Sequence, residues 1–361
     1  MPGDAIYVLG VGNLGKYVAH SLMKEAPGPV TLLFHRSSLE DQWRSAANGI
    51  QCITNGVPDT RSGFRIEVLP SSAQSPLKCS NKQYALDPIK YLIVTTKTYM
   101  TTGALELVKD RLSSETSILF LQNGMGTMDE TSAKIFPDPK ARPAYWAGIC
   151  SAGVYSTDPF TIVHAGKGPL LVGLVEGPNT QNVPTHDQDA VLTQNTMVQR
   201  LSQAGVLETS VLSSEAIRES QLQKLVVNAI INPLTAIFRC QNGQLASNPP
   251  RLAVMKLLLE ETGPIVKALL HTPSDMFSNQ NLFDLVLSVA HKTRANTSSM
   301  LQDVQASRRT EIDYINGYIA AQGKRLAMPH VHNSTVVRLV KEGRTIQDHD
   351  IATLFAIRET Y

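Results

Sequence analysis

Three polar side chains interrupt an otherwise apolar stretch, Gln221 to Phe238 (QLQKLVVNAIINPLTAIF), at a constant interval: Lys224, Asn228 and Asn232. A helix turns by about 100° per residue, so a step of four drifts by only about 40° and all three project from one narrow stripe. A surface helix shows a broad polar face opposite its apolar one. Here Leu, Val, Ala and Ile flank the stripe on both sides, so the helix is mostly buried. Its ammonium and two amides must then meet polar partners. Two readings fit the stretch alone. The lysine snorkels past two satisfied core amides, or a line of hydrogen-bond donors faces a cleft in which the lysine gives up a proton. Pro233, directly after Asn232, either ends the helix or kinks it. A second polar set at the same interval, Ser299, Asp303, Ser307 and Glu311, lies in the long segment Thr297 to Gln322, within a piece, 293–322, that reads as a helix. Taken alone, that spacing more often marks a solvated face.

A different chemistry is written near the start. Ala5 to Leu9 (AIYVL) reads as a buried parallel strand, Gly10-Val11-Gly12-Asn13-Leu14-Gly15 follows it, and Lys16 to Lys24 reads as a helix. The order strand, GxGxxG, helix is the context that makes these glycines a dinucleotide fingerprint. Gly10 permits the tight turn, Gly12 lets backbone approach a pyrophosphate, and Gly15 lets helix and strand pack closely. The phosphates then meet free N–H groups and the positive end of the helix dipole. The next strand, Val30 to Phe34, ends in His35-Arg36-Ser37-Ser38. A site for NADH would carry a carboxylate there for the ribose hydroxyl, whereas a guanidinium suits a 2′-phosphate. NADPH is therefore expected over NADH, with Arg36 as its contact. Tyr91 to Val94 leads into Thr95-Thr96-Lys97-Thr98, and Lys97 is a candidate phosphate contact or a solvated loop lysine. Ser117 to Leu121 leads into Gln122-Asn123-Gly124-Met125-Gly126. Its glycines read as allowing close approach to a ligand, and Asn123 as a partner for ribose, carboxamide or substrate, or else a turn asparagine.

The elements that must hold these residues fall into two kinds. A chain of 361 residues suggests about two domains. Up to residue 213 short strands alternate with helices, and beyond it strand signals vanish. This places a dinucleotide-binding domain over 1–213 and a helical domain over 214–361, with the pieces 215–238, 251–271, 278–291, 293–322 and 333–341 read as helices. Within the first, Ala104 to Leu112 and Val198 to Ala204 read as helices and Ser213 to Glu219 as a charged connection. Ala147 to Tyr155, Thr161 to His164 and Leu170 to Leu174 read as antiparallel strands closing the edge, and Pro70 to Pro76 and Glu176 to Gln194 as loops. The composition, 42% hydrophobic and 18% charged with a net charge of +2, is that of a soluble globular protein. No Lys/Arg block points to nucleic acid. Cys52, Cys79, Cys150 and Cys240 are scattered without a CxxC pair, which argues against a disulfide framework or a metal site and for a reducing compartment. No apolar run approaches the ~18 residues of a membrane span. The chain enters a strand almost at once, leaving no room for a leader, so a cytoplasmic location is expected. A homodimer is compatible with a sequence that does not fix an oligomeric state.

Four motifs, LGVGNLG, QNGMGT, KLVVNAIINPLTAIFRCQNG and TSSMLQDVQASRRTEIDYINGYI, occur in this order along nearly the whole chain. Together they resemble the 2-dehydropantoate 2-reductase (ketopantoate reductase) family. The resemblance implies an α/β Rossmann-type domain followed by an all-helical, 6-phosphogluconate dehydrogenase C-terminal-like domain. It also implies reduction of 2-dehydropantoate to (R)-pantoate with NADPH, on the route to pantothenate and coenzyme A. By motif, Lys224 matches the proton-donating lysine, and Asn228, Asn232, Asn242, Ser299 and Asn123 match substrate contacts. Gly10 to Gly15, Arg36, Lys97 and Asn123 match cofactor positions, and Glu311 lies at the junction of cofactor and substrate. Asp303 falls in the SSMLQD motif as a partner behind the substrate contacts. The chain departs from the family at Ile149 to Val154, where a Thr-Thr-His-Gly-Ala-like run is usual. The equivalent cofactor contact there is the backbone of Val154. Two alternatives stay open: a related reductase of another 2-oxo acid or a ketone lactone, and a protein that senses NADPH without turning it over.

Overall fold

The computed structural model describes residues 5–26, 28–70, 87–176, 194–270, 272 and 274–356. Cys79, residues 71–76 of the loop expected over Pro70 to Pro76, and residues 177–193 of the run expected as a second loop lie outside the described residues. Contacts divide the chain into two compact units, Met1–Gln122 with Thr127–Ile217, and Asn123–Gly126 with Arg218–Tyr361.

The first unit is built of β1 (Ile6–Leu9), α1 (Asn13–Glu25), β2 (Val30–Phe34), α2 (Ser38–Ser45), β3 (Gly49–Thr54), β4 (Val57–Ser62) and β5 (Arg65–Val68). It continues with β6 (Tyr91–Val94), α3 (Thr98–Glu106), β7 (Ser117–Phe120), α4 (Thr127–Lys134), β8 (Ala144–Cys150), β9 (Gly153–Asp158), β10 (Thr161–Gly166), β11 (Leu170–Glu176), α5 (Thr196–Gln203) and β12 (Ser210–Leu212). The main sheet has the order β12-β11-β8-β7-β6-β1-β2-β5, and its neighbours are all parallel except β8 with β11, so that β11 and β12 run against the rest. Its strands are apolar at consecutive positions because both faces are covered. Ile6 and Val8 pack with Val18 and Leu22 of α1, while Tyr7 and Leu9 pack with Leu105 and Val108 on the opposite face. Each such side chain contributes about 1.5–3 kcal/mol of burial. Chain order reverses about β1, which lies between β2 and β6, and the carboxyl ends of strands at such a point form a ligand crevice. In register, Leu9 faces Leu33 and Val94, so Gly10, His35 and Thr95 leave the sheet along one edge.

A smaller sheet, β4-β3-β10-β9, joins β3 to β10 in parallel. The strands expected at the edge do pair antiparallel, β8 with β11 and β9 with β10, but they belong to two sheets and not to one edge. Ala147 to Tyr155 is not one strand: β8 stays in the main sheet and β9 belongs to the smaller one. The chain turns between them where the Pro169 carbonyl accepts the Ser151 N–H (3.1 Å) and the bare Cα of Gly168 passes alongside. The helix expected over Ala104 to Leu112 instead begins at Thr98 and gives way to a 3₁₀ turn, Lys109–Arg111. Ser213 to Glu219 is not a connection. Ser213 accepts the Ala216 N–H on its hydroxyl and the Ile217 N–H on its carbonyl, opening α6 (Ser214–Phe238).

The second unit is helical, with most of α6 at its centre and α7 (Gly243–Ala246), α8 (Pro249–Ala268), α9 (Asn279–Lys292), α10 (Ser299–Gln305), α11 (Asn316–Arg325), α12 (Val331–Lys341) and α13 (Ile351–Phe355) following. Leu225, Val226, Ile230 and Leu234 of α6 share one core with Met255 and Leu258 of α8, Val286 of α9, Ile319 of α11 and Leu339 of α12. The single long helix expected over 293–322 is broken. The Ser307 and Arg308 N–H groups turn back to the carbonyls of Val304 (3.1 Å) and Asp303 (2.8 Å), and Ser307 takes a left-handed φ of 53°. These two bonds form a Schellman ending. Ser307 and Glu311 therefore leave the helix that holds Ser299 and Asp303, and the four do not form one stripe.

Candidate active site

At the edge where β1, β2 and β6 end, the glycine loop is bound tightly to its surroundings. Gly10 has φ +102°, and a Cβ on it would lie 2.5 Å from the Thr96 nitrogen. A Cβ on Gly15 would lie 2.0 Å from the Gly10 carbonyl oxygen, which also accepts the Thr95 hydroxyl. These two glycines are required by the protein's own packing. Gly12 is different: a Cβ there meets nothing within 4 Å. Gly12 precedes the first turn of α1, has no side chain to cap it, and no acidic residue lies in that turn. The free N–H groups and dipole of such a turn suit an anion. Open space above Gly12 fits a dinucleotide pyrophosphate, so the loop suits the cofactor that its motif implies.

Asn13 and Val154 meet here, the Asn13 amide donating to the Val154 carbonyl (3.4 Å) and accepting from the Ser156 hydroxyl (2.6 Å). Between them periodicity gave no hint of Lys16. It is 3% exposed, and its ammonium donates to Ser156 Oγ (2.5 Å) and the Pro159 carbonyl (2.9 Å). Burial pushes that ammonium down to about 8 from 10.5. Val11 and Leu14 are partly buried against the same core as α1. Arg36 is exposed just beyond β2. Lys97 stands at the N-cap of α3, its carbonyl accepting the Met100 N–H (2.8 Å). Gln122 laces the neighbouring strand end, its amide donating to the Thr96 carbonyl (2.6 Å) and Thr101 Oγ1 (2.5 Å).

Asn123 to Gly126 belong to the helical unit, and there the glycines read as approaching a ligand approach something else. A Cβ on Gly124 (φ +78°) would lie 2.3 Å from the Tyr314 carbonyl oxygen, and one on Gly126 would lie 3.1 Å from the Tyr318 ring. The Met125 N–H donates to that Tyr314 carbonyl (2.8 Å), and its side chain is buried in the helical core. Gly124 to Gly126, directly after Asn123, are thus held by the segment that follows Glu311. Glu311 is buried and its own carbonyl accepts the Tyr314 N–H (3.0 Å).

Helix α6 runs without interruption through Pro233, so Lys224, Asn228 and Asn232 stay on one stripe. Lys224 and Asn228 are half-buried and Asn232 is buried. One turn on, Thr235 Oγ1 lies 2.7 Å from Ser298 Oγ, and Ser298 caps α10 by accepting the Leu301 N–H (3.1 Å). Ser299, the exposed first residue of α10, is therefore tied to the Asn232 turn. Asn242 is stapled to the same approach, its N–H donating to the Asn296 carbonyl (3.1 Å). Its side chain is 7% exposed and donates from Nδ2 to Thr293 Oγ1 (2.9 Å). The Thr293 hydroxyl gives its proton to the Val289 carbonyl (2.7 Å) and can only accept from Asn242. That fixes the amide, and leaves Asn242 Oδ1 buried with no partner among the described residues. Asp303 is buried and accepts the Arg308 Nε–H (3.0 Å), an ion pair that closes the turn after α10.

Among the described residues, no group of three or more His, Cys, Asp or Glu is placed to hold a metal ion, and no helix is long and apolar enough to cross a membrane.

A sheet with this crevice, followed by a helical unit whose central helix carries a buried polar stripe, defines a two-part dinucleotide-dependent oxidoreductase. The family models described as "Ketopantoate reductase PanE/ApbA" and "Ketopantoate reductase PanE/ApbA C terminal" match residues 6–177 and 216–344. The chain is 30% identical over 352 residues to the probable 2-dehydropantoate 2-reductase of Schizosaccharomyces pombe, spanning 94% of this chain and 96% of that one. It is 26% identical over 353 residues to the ketoisovalerate reductase of Gibberella fujikuroi, spanning 87% and 77%. Its fold is similar to that of D-mandelate dehydrogenase solved with NADH and anilino(oxo)acetate, with a TM-score of 0.75 and 19% identity over 96% of this chain and 99% of that one. The chain belongs to the ketopantoate reductase family and is an oxidoreductase.

Proposed function

We propose that the protein reduces 2-dehydropantoate to (R)-pantoate with NADPH, and that Lys224 is the general acid. The observation that carries this reading is the unbroken course of α6 through Pro233, which keeps one ammonium and two carboxamides in line on a largely buried helix. The similarity to the S. pombe protein along nearly its full length supports the same reading. NADPH, when bound, supplies the hydride. The α1 amino end and Gly12 take the pyrophosphate, with the backbone of Val154 beside Asn13. Arg36 holds the 2′-phosphate in the absence of any carboxylate from His35 to Ser38, and Lys97 adds a phosphate contact. Asn123 and Glu311 serve the nicotinamide end. Lys224 stabilises the charge that builds on the ketone oxygen and delivers the proton there. Asn228, Asn232 and Ser299 hold the carboxylate and orient the ketone. Asp303 keeps α10 and its Ser299 in place through Arg308.

The choice of 2-oxo acid rests on Asn242. 2-Dehydropantoate carries a hydroxyl that 2-ketoisovalerate lacks, and the buried, unpartnered Oδ1 of Asn242 suits that hydroxyl. A second reading, reduction of 2-ketoisovalerate, is supported by the similarity to the G. fujikuroi protein. NADPH oxidation measured with each acid separates them. A higher kcat/KM for 2-dehydropantoate is expected, a preference for 2-ketoisovalerate selects the second reading, and turnover of neither removes both.

A further inference from the structure

Pro233 stands inside α6 and has no N–H to offer the carbonyl four residues back, which is that of Ala229. That carbonyl lies between Asn228 and Asn232 in the stripe. An interior proline usually leaves it bare and pushes it aside, and the helix bends there. Here the Ala229 carbonyl accepts a hydrogen bond from Nδ2 of Asn316 on α11, at 2.8 Å. Asn316 is 0% exposed. The same Nδ2 donates to Asn333 Oδ1 (3.1 Å), and Asn333 donates from its own Nδ2 to Glu261 Oε2 (3.0 Å) and Thr262 Oγ1 (3.3 Å). The direction of every amide in this chain is set at its far end. Glu261 accepts the backbone N–H groups of His332 (2.8 Å) and Asn333 (3.0 Å) at the start of α12, so Asn333 must turn its nitrogen to the carboxylate and its oxygen to Asn316. Asn316 is then left with only its nitrogen to present to Ala229.

We infer that Asn316 is the positioning residue of the active site: it supplies, from a side chain, the donor that Pro233 removes from α6, and so keeps Asn228 and Asn232 in line with Lys224. The inference rests on the reading of that stripe given under Proposed function. A buried carbonyl without a donor draws the helix out of register or admits water. A turn opened at Ala229 rotates Asn232 and everything after it away from Lys224. The network reaches Asn316 through α8 and α12, which hold none of the proposed substrate contacts, so the support comes from behind the stripe.

The test is a double-mutant cycle on the full chain, because Pro233→Ala restores an N–H to Ala229 and makes Asn316 dispensable. Asn316→Ala is expected to lower kcat about 10-fold, part of the ~10²-fold that a 1 Å misplacement costs, with the KM for NADPH unchanged. It is also expected to lower the unfolding temperature by about 5 °C. Pro233→Ala alone is expected to change kcat by less than about 2-fold, and adding it to Asn316→Ala is expected to recover most of both losses. Losses of equal size in the two backgrounds would overturn the inference. So would an Asn316→Ala enzyme that melts early but keeps its kcat, since Asn316 would then be merely structural. Where Asn316→Ala alone yields no folded protein, recovery of folded protein in the double variant supports the pairing and its absence overturns it. The unfolding arm needs no substrate. A wild-type enzyme inert toward both 2-oxo acids would sink the proposed function, while the cycle in unfolding temperature would still decide the bond.

Discussion

The two ends of the Asn242 amide stand in unequal surroundings: Nδ2 is held by Thr293, and Oδ1 is buried without a partner. If that oxygen receives the substrate hydroxyl, Asn242→Ala loses a hydrogen bond only with a substrate that has one. Selectivity for 2-dehydropantoate over 2-ketoisovalerate is then expected to fall about 10-fold, or ~1.4 kcal/mol. Steady-state kinetics on both acids checks this, and unchanged selectivity removes Asn242 from the substrate contacts. Lys16 makes a prediction of another kind. Its ammonium is held down to about 8 by burial, below the ordinary 10.5 that the unfolded chain restores. Between those values the unfolded state binds more protons, so the stability that Lys16 costs is regained as pH rises from about 8 to 10.5. Lys16→Met is therefore expected to stabilise the protein most below pH 8, with its advantage shrinking above it. Thermal unfolding of both proteins across that range is the measurement, and a difference that stays flat contradicts the buried-cation account.

At the scale of elements, the glycine loop and the α10 ending show how differently sequence signals report. Gly10, Gly12 and Gly15 are alike in the sequence but stand in different surroundings. Gly15→Ala drives a Cβ into the Gly10 carbonyl and is expected to destabilise by about 1–3 kcal/mol. Gly12→Ala meets no protein atom, so it is expected to fold normally and raise the KM for NADPH about 10-fold, equivalent to ~1.4 kcal/mol. Chemical denaturation and NADPH titration separate the two, and a Gly12→Ala protein with normal NADPH binding would leave that glycine without a ligand-based reason. Strands β1, β2, β6 and β7 and helix α6 were legible because burial on both faces and a four-residue interval leave direct marks in residue type, whereas the edge strands β5 and β12 leave too short an apolar run to show. The ending of α10 was not, because the left-handed residue is Ser307 and not the glycine that would announce it. Likewise Gly124 and Gly126 announce a close approach, and only the structure shows that Tyr314 and Tyr318 make it.

For the molecule as a whole, the succession of an α/β unit and a helical unit is readable from the disappearance of strand signals. The pairings that support the site are not, because they join residues far apart in the chain. Lys16 with Ser156, Thr235 with Ser298 and Ala229 with Asn316 carry no local pattern at either end. Cofactor choice also belongs to this scale, since it sets which reductant pool the enzyme draws on. Arg36→Ala is expected to narrow the preference for NADPH over NADH about 10-fold, with little effect on NADH itself. An unchanged ratio of kcat/KM for the two cofactors rules out the 2′-phosphate role. The account depends most on a proton delivered from α6. Single-turnover oxidation of NADPH by 2-dehydropantoate in the Lys224→Ala enzyme measures that step directly. It should be slower than wild type by the order of 10²–10⁴-fold with NADPH binding retained, and a rate close to wild type would contradict the assignment of Lys224.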